Sequence, residues 1–243
     1  MDVVKAYRNE RFLASDEARE IRILSEYLEP RTRLLHAGVQ RGIAVFGSAR
    51  LRRGDTPDYY AMAVDLAERL ARWTVATHPA DARYHICTGG GPGIMEAAAE
   101  GTARVDRRLN VGLNISLLHE QHANPWLDPG LTFDFHYFFM RKFWFANLAQ
   151  AVVAFPGGFG TMDELFEILT LLQTRKIRGR PVVLFGAEFW NAIVNFQVFV
   201  DRGLISARDL DDFKMVESVE EALEFLISRL ADNATLPLGA LTP

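Results

Sequence analysis

The chain is expected to fold as a doubly wound α/β domain around a parallel sheet, with a helical extension at its N-terminus. Three observations predict this. From Arg41 onward, short β-branched runs alternate with helical stretches. The runs are apolar almost throughout, as strands covered on both faces must be. Most end in glycine or another small residue, where a strand turns into a helix.

Taken in order, residues 1–40 read as an amphipathic helical arm, with Ile21, Leu24, Tyr27 and Leu28 on one face and a break at Pro30. The strands follow as IAVFGSAR (43–50), YHICTGGGPG (84–93), VGLNIS (111–116), AVVAFPGGFG (151–160), PVVLFG (181–186) and FKMVES (213–218). Helices are expected over 58–72, 93–104, 137–149, 161–173 and 187–202, with VEEALEFLISRLA (219–231) closing the domain. The α/β domain thus spans 41–231, and the tail 232–243 is expected to be disordered.

Composition narrows the functional classes. With 243 residues, 49% hydrophobic and 24% charged, the chain has apolar material for a substantial core. Net charge of −4 supplies no basic field for nucleic acid. A single cysteine, Cys87, precludes an intrachain disulfide, and the first twenty residues lack the apolar core of a secretory signal. A cytoplasmic location is expected, in which the sequons at Asn114 and Asn233 carry no weight. No apolar run approaches the ~20 residues of a membrane span.

In an open α/β sheet, ligands bind beyond the carboxyl ends of the strands, where strand order reverses. Three glycine-bearing strand ends should meet there: Gly47–Ser48, Gly89–Gly93 and Gly157–Gly160. Glycine lets an anion approach the backbone amides, and the following helix offers unpaired N–H groups and a positive dipole end. The loops therefore read as phosphate cradles, although tight βα connections would look the same. Neither long loop is a Walker A sequence, and Ile94 and Asp163 stand where a dinucleotide fingerprint needs its third glycine. Thr161-Met162-Asp163-Glu164 also fits a capping box, with Thr161 at the N-cap. Against that reading, carboxylates beside a bound phosphate are repelled unless they serve another part of the ligand, such as a sugar carbon gaining positive charge.

In FHYFFMRKFWFANLAQ (135–150), Phe138, Phe139, Phe143 and Trp144 are expected to form a buried helix face. Arg141 and Lys142 must then emerge at a wet or ligand-filled place. His119 and His122 are three apart rather than four, so no zinc helix and no metal are expected. Cys87 reads as a packed thiol.

Together these residues resemble the LOG family, the cytokinin riboside 5′-monophosphate phosphoribohydrolases long labelled lysine decarboxylases. PGGFGTMDE (156–164) is similar to that family's P-G-G-x-G-T-x-x-E signature, MRK (140–142) to its Arg-Lys pair, and GGGPGIMEAA (89–98) to its first glycine loop. The likeness covers roughly residues 40–230, and the arm and Pro92 resemble the longer, type II branch. It implies a Rossmann-like fold and a hydrolase that cleaves nucleoside 5′-monophosphates, cytokinin riboside monophosphate or AMP, to free base and ribose 5-phosphate. A non-catalytic nucleotide or molybdenum-cofactor carrier is the alternative. The catalytic pair would be Arg141 and Glu164. Gly157, Gly158, Gly160 and Thr161 would hold the phosphate, with Ser48, Gly89, Gly90, Gly91, Glu96 and Lys142 completing the substrate site. Asp163 stands where shorter members carry glutamate. No cofactor is implied, and none of the four lysines, Lys5, Lys142, Lys176 and Lys214, sits in a recognisable Schiff-base site. The resemblance, the aromatic helix, the apolar 187–202 stretch and an arm in need of a partner together predict a homo-oligomer, a dimer or a hexamer.

Overall fold

A computed structural model of the chain describes residues 4–116 and 123–231. The His119–His122 segment and the tail, with its sequon at Asn233, lie outside these residues. In chain order the elements are α1 (Glu10–Leu13), α2 (Arg19–His36), β1 (Arg41–Phe46), α3 (Tyr59–Thr77), β2 (Tyr84–Thr88), α4 (Ile94–Asp106), β3 (Asn110–Ile115) and β4 (Thr132–Phe135). There follow α5 (Phe138–Leu148), β5 (Ala149–Ala154), α6 (Phe159–Gln173), β6 (Val182–Phe185), α7 (Ala187–Ile193), α8 (Phe196–Asp201), β7 (Phe213–Val216) and α9 (Val219–Leu230).

The strands form one Rossmann-like sheet, ordered β4-β3-β2-β1-β5-β6-β7 among the described residues, and every pairing is parallel. Side chains alternate between two cores, which is why the strands are apolar throughout. Ile43, Val45, Ala151, Val153, Val183 and Phe185 face α3, α4 and α9. Ala44, Phe46, Val152, Ala154, Val182 and Leu184 face the opposite layer, built from α2, α5, α6 and Trp190 of α7. The chain leaves β1 toward β2 and returns to β1's other side with β5, so the order reverses between β1 and β5. Cys87 packs fully buried in β2, and burial pushes its thiol up to about 12. No helix of the described residues is long and apolar enough to cross a membrane.

Several elements depart from the sequence reading. The arm does not break at Pro30, which lies buried inside α2. A proline there deprives the Glu26 carbonyl of its helical donor, and the indole N–H of Trp144 takes that place at 2.9 Å. The stretch 187–202 is two helices, because the Asn195 side chain accepts from the Val198 amide and starts α8 afresh. Within the single chain, Ile193 and Val198 of this stretch are exposed. Of the aromatic face, Trp144 is buried and Phe143 partly so, whereas Phe138 and Phe139 are half exposed. Strand β4 was not foreseen: its alternating Phe133 and Phe135, buried around exposed Asp134, span only four residues at the sheet edge.

Candidate functional site

The switch point is stitched together by main-chain hydrogen bonds. The Ser48 amide donates to Pro156 O (3.0 Å), joining the loops after β1 and β5, and the Ile94 amide donates to Ser48 O (3.1 Å), bringing in the start of α4. Gly93 has φ +70°, and a Cβ there would lie 2.3 Å from Ser48 O, so the three loops meet only because glycine stands at this contact.

Above these loops opens a cleft of about 920 Å³. Its floor carries Ser48, Gly89, Gly157, Gly158, Gly160 and Thr161, and its side carries Arg141 and Glu164. Met95, Ile115, Phe138, Phe145, Phe166 and Ile193 form apolar walls, and Arg50 stands at the edge. A single site thus gathers residues from 46 to 194.

The segment 157–164 explains the clustering of glycine and acid. Helix α6 starts at Phe159 with Gly158 as N-cap, so Thr161 is the third helical residue and Glu164 the sixth. The capping-box reading therefore fails, because Thr161 lies too far into the helix to cap it. The first intrahelical bond runs from Met162 N–H to Gly158 O (3.0 Å), which leaves the amides of Phe159, Gly160 and Thr161 ahead of the hydrogen-bonded ladder. No acidic side chain occupies that first turn. A Cβ on Gly157 would fall 2.1 Å from Thr161 Oγ1, while Gly158 and Gly160 face open space. The arrangement is an uncluttered helix N-terminus facing a cleft, suited to an anion.

One turn further on, Glu164 is 5% exposed, and its Oε1 accepts from Arg141 Nη2 at 3.1 Å. The Arg141 guanidinium lies 5.3 Å from the Phe138 ring centre, and its buried Nε has no protein acceptor. Burial pushes Glu164 up to about 7, outweighing the downward pull of Arg141 and Lys142, while Glu167 and Asp163 add to the rise. The carboxyl is therefore poised between its two protonation states near neutral pH, rather than held ionised by Arg141.

Other residues singled out in the sequence lie elsewhere. Lys142 turns to the outer side of α5 and α6, where its Nζ meets Asp163 (2.8 Å) and Glu167 (3.1 Å). Gly90 and Gly91 shape the loop beneath the cleft. Their carbonyls accept from the Asn124 amide group at 3.1 Å each, and a Cβ on Gly90 would lie 1.7 Å from Asn114 Oδ1. The role of Asn124 had no signal in the sequence, since its partners in the glycine loop are more than thirty residues away. Glu96, in the first turn of α4, sits near Tyr60; burial, with Glu96 and Glu100, pushes that phenol to about 12. Among the described residues no cluster of three or more His, Cys, Asp or Glu side chains could hold a metal ion.

The chain is similar to several known proteins. The family model described as "possible lysine decarboxylase" matches residues 95–226, more than half of the chain. A probable cytokinin riboside 5′-monophosphate phosphoribohydrolase of Oryza sativa subsp. japonica, LOG4, is 30% identical over 198 residues, 80% of each chain. The pyrimidine/purine nucleotide 5′-monophosphate nucleosidase of Escherichia coli (strain K12) is 30% identical over 128 residues, 47% of this chain and 28% of that one. Among solved structures, the X-ray structure of the structural-genomics target TM1055 aligns with TM-score 0.54 and 24% identity. It covers 77% of this chain and 99% of that one, and it speaks to the fold. With its motifs at the switch point of the expected sheet and its similarity spanning most of the sequence, the chain belongs to the LOG family.

Proposed function

We propose that the protein hydrolyses the N-glycosidic bond of nucleoside 5′-monophosphates, releasing the free base and ribose 5-phosphate. The observation that carries this reading is the buried Glu164–Arg141 pair, set in the same cleft as the open N-terminus of the helix that bears Glu164. A phosphate carrier has no use for a buried carboxylate close to its anion site; a glycosidase does. The names of the rice and E. coli relatives point to the same chemistry.

In this reading, the amides of residues 159–161 and the Thr161 hydroxyl take the 5′-phosphate, with Arg141 Nε as a further donor. Ribose C1′ then comes near Glu164. As the C1′–N bond breaks, positive charge spreads over C1′ and the ring oxygen, and the carboxylate stabilises it. Water adds to C1′ through its oxygen and passes one proton to Glu164, and that proton is then given up to the departing base nitrogen, so the carboxylate is restored and ribose 5-phosphate and the neutral base leave. The lysine chemistry of the old family label is a poor fit. Although burial opposes it, the hydrogen bonds that Lys142 donates to Asp163 and Glu167 raise its pKa and keep it an ammonium, unsuited to Schiff-base formation. Incubating the protein with AMP, GMP and isopentenyladenosine monophosphate, then chromatographing the bases, tests the proposal. Release from at least one of them is expected, and no base from any of the three overturns it.

We also propose a homo-oligomer, dimeric or hexameric, although one reason for it has fallen away. The arm packs on α5 of its own chain, so it needs no partner to cover its inner face. Exposed Ile21, Leu24 and Leu28 on α2 and Phe139 on α5 remain in support. Light scattering coupled to size exclusion should give a mass of at least two chains, and a value near 27.4 kDa refutes assembly.

A further inference from the structure

The start of α5 is held from a distance. Tyr137, its N-cap, makes no side-chain cap of its own. The Glu26 carboxylate instead reaches across from α2, Oε1 accepting from the His136 amide (2.8 Å) and Oε2 from the Tyr137 amide (3.2 Å). A carboxylate at this end of a helix also suits the helix dipole. The main chain of the same residue grips α5 again, through the Trp144 indole N–H on Glu26 O, an acceptor left available by Pro30. Next to it, Tyr27 packs its ring on Phe143 and Trp144, with centroids 5.6 and 6.0 Å away.

Between these two grips lies Arg141. Its amide donates to Tyr137 O at 3.2 Å, so the residue whose N–H is held by Glu26 supplies the carbonyl on which the Arg141 backbone rests. The guanidinium then reaches Glu164 on α6. Three hydrogen bonds, relayed through the Tyr137 main chain and the Arg141 residue, thus link one residue of the arm to the buried carboxyl of the cleft.

We propose that Glu26 is a positioning residue for the Arg141–Glu164 pair, making the N-terminal arm part of the active-site scaffold. The proposal rests on the nucleotide-hydrolase reading for its kinetic consequence, but its geometric consequence stands apart from turnover. The charged groups around Glu164 are Arg141 and Lys142 from α5 and Asp163 and Glu167 from α6, with Arg50 at the edge of the same cleft. Of these, Arg141 makes the direct contact and pulls the Glu164 carboxyl down. If α5 loses its hold at residues 136–137, Arg141 drifts and Glu164 titrates higher.

The test uses the full chain carrying Glu26→Ala or Glu26→Gln, with two readouts. The first is kcat and KM for base release from AMP across pH. The second is the titration of Glu164 followed by carboxyl carbon NMR, its resonance identified by its loss in Glu164→Gln. Glu26→Ala should lower kcat about tenfold or more while KM changes less, because misplacement by a fraction of an ångström acts mainly on the transition state. It should also move the Glu164 midpoint upward by about half a unit or more. Glu26→Gln, which keeps one acceptor oxygen, should lie between, and it carries the test alone if the alanine variant does not fold. Added to Arg141→Ala, the Glu26 change should do little more, as expected for residues acting through one group. An unmoved Glu164 midpoint, or a full loss added on top of Arg141→Ala, overturns the proposal. Should the unaltered protein release no base from any nucleotide, the functional reading falls, and the NMR titration still decides the role of Glu26.

Discussion

Glu164→Gln is expected to abolish base release from nucleoside monophosphates, lowering kcat by about 100-fold to 10,000-fold, while nucleotide binding persists. Glutamine keeps the shape and can still accept from Arg141 Nη2, but it carries no charge to place against the sugar cation. The unaltered enzyme should show an acid limb. Glu164 sits at about 7 through burial, and only its ionised form acts, so kcat should fall about tenfold per unit below that pH. A stability signature accompanies it. The folded value lies above the ordinary 4.5, so the stability that protonation contributes is complete below pH 4.5 and is lost as pH rises through 7. Between pH 4.5 and 8, denaturant melts should therefore shift in favour of the glutamine variant by up to about 3 kcal/mol. Turnover within a few-fold of the unaltered enzyme would defeat the catalytic role of Glu164, and parallel stability curves would defeat its raised pKa.

Removing the phosphate from the substrate should be nearly as damaging. Adenosine is expected to be cleaved about 100-fold to 10,000-fold less efficiently than AMP, as follows from losing two or so charge-assisted hydrogen bonds worth roughly 1.5–3 kcal/mol each. The amides of residues 159–161 would hold an anion remote from the bond that breaks, and that binding energy positions C1′ against Glu164. Gly157→Ala should erase most of the advantage of AMP. Its Cβ would fall 2.1 Å from Thr161 Oγ1 and 3.1 Å from the Ser48 amide, forcing the loop out of place. Equal kcat/KM for adenosine and AMP, measured side by side, would remove the phosphate site from the mechanism.

The local sequence determined the parts of this protein that depend on backbone chemistry. Runs apolar almost throughout, most of them ending in a small residue, specified strands buried on both faces, and the glycines of 89–93 and 157–160 marked where they turn into helices. The stretch 156–164 carried the family motif and drew attention to Glu164, and the charged pair within the aromatic stretch 135–150 drew attention to Arg141. Where competing signals were local, only the tertiary structure chose between them. Thr161 and Glu164 fit a capping box by spacing alone, but the N-cap is Gly158, three residues earlier, and α6 begins at Phe159. Pro30 looked like a stop, and it stays within α2 because a tryptophan more than a hundred residues away satisfies the carbonyl it leaves open. Asn124 beneath the glycine loop, Glu26 at the start of α5 and the pKa of Glu164 had no signal at all. Each depends on which groups distant in sequence come together and how much water they exclude, and burial and long-range hydrogen bonds are properties of the packed chain.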